Sequence, residues 1–269
     1  MISSLKHWKE YLIEAGGLGL FMLSASVFTT LLEYHESPLY QSIPNPVLRR
    51  ALIGIAMGLT AVSMIYSPWG QRSGAHFNPA VTLTYFRLGR IGKADAIGYI
   101  FSQFAGGLLG VYLGASILGE AFTGSDVHYA VTAPGAGFGG AFLAEFVISF
   151  LMMMIILTVS NQKKIAGFTG VIAGILIAIF ITAEAPLSGM SMNPARSVAS
   201  AIPAHFFQGW WIYFVAPILG MLVASEVYLR SSGLDSILCA KLHHGSSQPC
   251  LFLHCKFHEM KGDSNVESL

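Results

Sequence analysis

Along the chain, long apolar runs alternate with short polar breaks. Six runs stand out, over about 10–32, 49–67, 94–118, 139–160, 166–184 and 209–230. Crossing about 30 Å of hydrocarbon at 1.5 Å per residue takes roughly 20 residues, so each run predicts a transmembrane helix. Gly, Ala and Ser recur within them, as in "GGLGLFMLSAS" at 16–26 and "FAGGLLGVYLGAS" at 104–116. Small residues of this kind let membrane helices approach closely.

Two further apolar segments, "NPAVTLTYFRL" from Asn78 and "NPARSVASAIP" from Asn193, are too short to cross. Asn followed by Pro is a helix-start signature: the Asn side chain caps, and Pro occupies a position whose N–H would be orphaned anyway. Each tripeptide, Asn78-Pro79-Ala80 and Asn193-Pro194-Ala195, therefore predicts the N-terminus of a short helix. Irregular backbone cannot face lipid, so both must be buried in protein or line a wet cavity. A third near-match, "NPV" at 45–47, reads as an ordinary turn.

The chain also repeats itself. "YLIEAGGLGLFML" in the first run and "FLAEFVISFLMMM" in the fourth place Glu14 and Glu145 alike, and an Asn-Pro-Ala copy follows each. Three spans per repeat means the halves insert with opposite topology, and inverted repeats with a broken segment in each put a transport site near the midplane. The expectation is an all-α membrane protein of six transmembrane helices and two re-entrant half-helices that meet tip to tip. A cytoplasmic N-terminus would cover 1–9, a channel domain 10–232 with repeats over about 10–120 and 139–232, and a tail 233–269.

Composition agrees. Of 269 residues 54% are hydrophobic and 11% charged, against about a quarter charged in soluble domains. A net charge of +1 offers no footprint for nucleic acid. The opening "MISSLKHWKEY" is polar, and the apolar run behind it is too long for a signal peptide. Lys6, Lys9, Arg72, Arg87, Arg90, Lys93, Lys163, Lys164 and Arg230 fall in the termini and alternate loops, which places both termini in the cytoplasm; Arg49 and Arg50 run against that assignment.

Two polar asparagines and two positive helix ends at the midplane would turn a passing water's oxygen toward the centre, with its hydrogens outward, and repel cations. Arg196, directly after the second tripeptide, is an arginine at membrane depth and hence a functional candidate. Glu14 and Glu145 have two readings. They can accept hydrogen bonds from the re-entrant loops, bracing them, or they can serve a proton-coupled transporter. No nucleophile–base pair or phosphate-binding loop lies in the spans, so no enzyme is expected, and no cofactor.

These residues resemble the major intrinsic protein family, the aquaporins and glycerol channels. The likeness covers about 8–232 and rests on "SGAHFNPAVT", "SGMSMNPARS", Glu14, Glu145 and Gln103. It implies a homotetramer with one pore per protomer, passive conduction of water and small neutral solutes in a plasma or bacterial inner membrane, and His76 in the cytoplasmic vestibule. It also implies a filter at Met57, Ile181, Met190 and Arg196. Water channels of the family typically place an aromatic and a histidine there, and glycerol channels two aromatics and a glycine. This chain departs from both, which predicts a more apolar filter and leaves the choice among water, glycerol, urea and hydrogen peroxide open. Ser197, Tyr213 and Phe214, with a short 119–138 loop, favour the water-type scaffold.

All three cysteines lie in the tail. "CAKLHHGSSQPCLFLHCKFH" at 239–258 gathers Cys239, His243, His244, Cys250, His254, Cys255 and His258. Such density of thiolate and imidazole suits Zn²⁺, with Cys239, His243, Cys250 and Cys255 as candidates, although the spacing fits no familiar zinc pattern. A mobile tail of chance composition is the alternative.

Overall fold

The structure, a computed structural model, describes residues 6–244 and 250–257. His258 of the tail cluster lies outside them. Among the described residues, six helices are long and apolar enough to cross a membrane. They are α1 Trp8–Glu33, α2 Pro46–Tyr66, α4 Lys93–Leu118, α5 Gly137–Ser160, α6 Thr169–Ala183, which spans together with the 3₁₀ turn Ala166–Phe168 before it, and α8 Ile212–Ser232. Between them sit two stubs, α3 Pro79–Arg87 and α7 Pro194–Ala204. With 9 and 11 residues these stubs are about 14 and 17 Å long, half of what a span needs. The chain is thus an all-α, multi-pass integral membrane protein.

Three helices start on the same device. Asn45, Asn78 and Asn193 each turn a side-chain oxygen onto the first backbone N–H groups, with Pro at the first helical position. "NPV" is therefore not the ordinary turn expected of it. Asn45 Oδ1 accepts from Val47 and Leu48 N–H at 2.9 and 3.2 Å, and α2 begins there. The last span starts at Ile212, because Gln208 to Trp211 form the turn that leads into it.

The helices pair as the repeat requires. α1 packs on α4, α5 on α8, and α2 crosses α6; α3 lies against α8 and α7 against α4. Glycine sets the depth of each crossing. A Cβ on Gly106 would stand 2.0 Å from the Ala15 carbonyl oxygen, one on Gly58 2.4 Å from that of Gly174, and one on Gly220 2.5 Å from that of Phe146. Without side chains there, backbones touch directly, which is how membrane helices gain packing when lipid is as apolar as they are.

The exception to the charge rule has a local cause. Arg49 is buried, bonded to Glu33 Oε2 (3.2 Å) and to the Ile43 and Pro44 carbonyls, with its guanidinium 4.2 Å from the Tyr40 ring. It ties the α1–α2 connection to itself and is not a free surface charge.

Candidate functional site: a lumen between two re-entrant loops

Each stub is preceded by a loop that the sequence forces into an uncommon conformation. Gly74 and Gly189 adopt φ of +91° and +86°, after which Ala75, Phe77, Met190 and Met192 also take positive φ. Residues with side chains are strained in that region, so something must hold them. Here a buried carboxylate does. Glu14 accepts from Ser73 Oγ (2.7 Å) and His76 N–H (3.1 Å) on one oxygen, and from Phe77 N–H (2.6 Å) and Gln103 Nε2 (2.8 Å) on the other. Glu145 does the same in the second half, accepting from Ser188 Oγ (2.6 Å), Ser191 N–H (2.7 Å) and Met192 N–H (2.7 Å). The backbone donors are ones the left-handed turns expose, so the strain and the charge stabilise each other.

The pseudo-symmetry extends to Tyr99, which the sequence reading did not use, and to Tyr213, which it used only as a mark of the water-type scaffold. Tyr99 donates to the Ser73 carbonyl at 2.6 Å and Tyr213 to that of Ser188 at 2.7 Å. The chain signals only the acceptors, since both motif copies begin Ser-Gly. Glu184, also passed over, contacts the Ser188 hydroxyl beside Glu145. Ser197, read as a branch marker, bonds Thr132 and Ser191 through its hydroxyl at 2.9 and 2.6 Å.

The two stubs meet through their asparagines. Asn78 Nδ2 donates to the Met192 carbonyl at 2.7 Å, and Asn193 Nδ2 donates to the Phe77 carbonyl at 2.8 Å. Each amide oxygen meanwhile caps its own helix, at 2.8 Å to Ala80 N–H and 3.0 Å to Ala195 N–H. Each side chain therefore bridges from its own helix start to the facing loop, and one amide hydrogen per asparagine is left over. Pro79, Ala80, Pro194 and Ala195 are buried behind them.

A cavity of about 450 Å³ passes this junction. Its lining follows α2 from Pro46 and Arg50, at the end away from the chain termini, through Met57 to Met64, and also includes Glu33, Ile181, Met190, Arg196 and both asparagines. Ala75, His76 and Leu242 belong to the same lining. All four filter candidates thus line the same cavity, with Ile181 packed against the cluster of Ala25, Leu32, Ile53 and Met57. Arg196 Nη1 is buried there without a hydrogen-bond partner among the described residues. His76 is held on every side: Nδ1 at 3.1 Å from Thr82 Oγ1, Nε2 at 3.0 Å from the Ala240 carbonyl, and its ring stacked between Tyr85 and Phe252.

In the tail, the structure corrects the candidate set. Cys239, Cys250 and Cys255 converge, but with His244; His243 instead stacks edge-on against Tyr66 at 4.5 Å.

Residues 1–228 match the family described as major intrinsic protein. A "Probable aquaporin NIP-type" from Nicotiana alata is 37% identical over 177 residues, covering 65% of this chain and 64% of that protein. A "Glycerol uptake facilitator protein-like 6" from Lactiplantibacillus plantarum is 37% identical over 176 residues, covering 64% and 81%. The chain thus spans less than two thirds of the plant relative's length. Among solved structures, the aquaglyceroporin from Plasmodium falciparum superposes with a TM-score of 0.70 at 19% identity, over 82% of this chain and 95% of that one, a likeness of fold.

Proposed function

The chain belongs to the major intrinsic protein family, and from that premise we propose that it is a passive transmembrane channel for water and small uncharged solutes that excludes protons and ions. The observation that carries the proposal is the pair of crossed amide bonds. They fix two positive helix ends and two spare amide donors at one level of a lumen, where a solute oxygen is welcomed and a cation is not. Arg196 adds a fixed cation and a donor to the lumen wall, with Met57, Ile181 and Met190 supplying an apolar, deformable stretch of it. Such a wall supports passage of small neutral solutes beside water, and the relatives carry names of both kinds.

The proton-coupled alternative is weaker for a geometric reason. Both oxygens of Glu14 and of Glu145 are engaged by donors from the loops, so neither carboxylate is poised to exchange protons with the lumen. In this reading Glu14, Glu145 and Gln103 brace the loops, residues 10–232 form the channel, and four protomers assemble. The termini side faces the cytoplasm of a plasma or bacterial inner membrane. Vesicle swelling against water, glycerol, urea and hydrogen peroxide gradients tests it. Flux should rise linearly with the gradient and ignore pH, whereas saturation or proton coupling would move the case to a transporter.

A further inference from the structure

Residues 237–244 and 250–257 do not hang free. They fold back as a strap over the termini-side end of the cavity, with Ile237, Cys239, Ala240 and Leu242 all buried. The outgoing arm bonds the channel through Leu238 N–H to Asn161 Oδ1 (2.7 Å), the Ala240 carbonyl to His76 Nε2 (3.0 Å) and Leu242 N–H to the Gly74 carbonyl (3.1 Å). The return arm bonds it through Leu253 N–H to the Arg90 carbonyl (2.9 Å) and through the Arg90 guanidinium to the His254 carbonyl (3.1 Å). Phe252 stacks on His76 at 5.2 Å, and Leu242 forms part of the cavity wall.

A strap whose described residues form no helix or strand needs something to join its arms. The described backbone contacts between them are few: Lys256 N–H donates to the Leu238 carbonyl at 2.9 Å. What does lie between them is the side-chain cluster. Cys239 and His244 come from the outgoing arm, Cys250 and Cys255 from the return, and their four ligand atoms all lie within 4.8 Å of one another. Cys239 Sγ is 3.4 Å from Cys250 Sγ, and His244 Nε2 is 3.2 Å from Cys255 Sγ. In a tetrahedron with metal–sulfur bonds of about 2.3 Å, neighbouring ligand atoms stand about 3.8 Å apart. The ligands are close to that arrangement already. The Phe257 ring stacks on His244 at 4.4 Å and 12°, fixing its orientation.

We propose that Cys239, His244, Cys250 and Cys255 bind one Zn²⁺ ion, and that the loaded site staples the strap across the termini-side mouth, closing the pore. Three thiols and a neutral imidazole form a closed, structural-type donor set, soft enough to favour zinc over calcium or magnesium. Binding releases up to three thiol protons to solvent and leaves a site of net charge −1. The staple rests on the sequence of the tail and on its fold alone, while the closure rests on the channel reading above.

The test uses the full chain, reduced and stripped of metal, and then reconstituted in vesicles. Cobalt titration should give thiolate charge-transfer and tetrahedral ligand-field bands that saturate at one equivalent and vanish when zinc is added. Cys255→Ser and His244→Ala should each lose the tetrahedral spectrum. Osmotic shrinkage should be slow with zinc, several-fold faster after chelation, and fast in both variants whether or not zinc is added. Phe252→Ala should keep the cobalt spectrum yet shrink fast, because it loosens the strap without touching a ligand. Absence of a one-equivalent cobalt spectrum, or a Cys239–Cys250 disulfide detected by mass in place of metal, overturns the site. A bound metal with equal flux before and after chelation overturns the closure. If chelated protein and Phe252→Ala both fail to conduct, the channel reading falls and takes the closure with it, while the spectrum still decides the site.

Discussion

Asn193→Asp separates the two jobs assigned to this side chain. Aspartate caps a helix as well as asparagine does, so the bonds from Ala195 and Arg196 N–H to the side-chain oxygen survive. The donor to the Phe77 carbonyl, now at 2.8 Å, becomes an acceptor facing an acceptor. That leaves two buried oxygens facing each other, at a cost of about 1 to 3 kcal/mol, which thermal unfolding of the variant in detergent measures. The electrostatic change is larger. A carboxylate about 4 Å from a monovalent cation in the lumen attracts it by about 1 kcal/mol if the lumen is water-like and about 4 kcal/mol at the effective dielectric of a protein surface. At about 1.4 kcal/mol per tenfold, cation occupancy of the junction should rise between about fivefold and a thousandfold. Sodium flux into vesicles under a membrane potential reads this out directly, with Asn193→Ala as the uncharged control that loses cap and donor alike. The expected pattern is a sodium leak in the Asp variant and none in the Ala variant. A leak equal in both, or in neither despite folded protein, would refute the claim that the asparagine level is the cation barrier.

Three other outcomes follow from the same geometry. Glu145→Gln must place an NH₂ against either the Met192 N–H or the Ser191 N–H, so it should lose about 2 to 4 kcal/mol of stability and most of the osmotic flux; thermal unfolding in detergent and vesicle shrinkage measure these. Met57→Ala with Met190→Ala widens the filter wall and should raise glycerol permeability several-fold relative to water in swelling assays. In the loops away from the termini, the Asp126 carboxylate bonded to His35 holds the imidazole above its ordinary value, while His35 holds Asp126 below the usual carboxylate range. The pair is complete only when both are charged. Its contribution fades as pH falls through the lowered Asp126 value and as it rises through the raised His35 value. Hydrogen-exchange protection of the 124–128 turn, corrected for intrinsic rates, should therefore be greater near about pH 5.5 than near about pH 8.5.

Much of this architecture can be read from the chain, because the bilayer removes alternatives. Apolar length dictates spans, and Asn-Pro at 78 and 193 dictates where two stubs begin, since backbone at membrane depth must start and end its hydrogen bonding somewhere protected. Glu14 and Glu145 are legible for the same reason: a buried acid needs donors, and the left-handed turns before each stub supply them. What periodicity cannot convey is three-dimensional convergence. Tyr99 and Tyr213 act on Ser73 and Ser188 from helices far along the chain, and nothing in their local sequence says so. Asn45 reads as a turn because the signature for a turn and for a capped helix are the same two residues. The tail is the clearest case. Its Cys and His residues converge only because the tail docks onto the channel, where the His243 ring meets Tyr66 from α2 and the His244 ring meets Phe257 from the return arm.

The central claim is that solute passes through the lumen between Asn78 and Asn193. The most direct measurement places a single cysteine in that lumen, Met190→Cys, in a chain whose Cys239, Cys250 and Cys255 are changed to Ser. Stopped-flow shrinkage of vesicles is then recorded before and after a thiol-blocking reagent that attaches by a disulfide, and again after reduction. The prediction is a fast, gradient-linear rate that collapses on labelling and returns on reduction. A rate that is unchanged by a label at position 190 would mean that water crosses somewhere else.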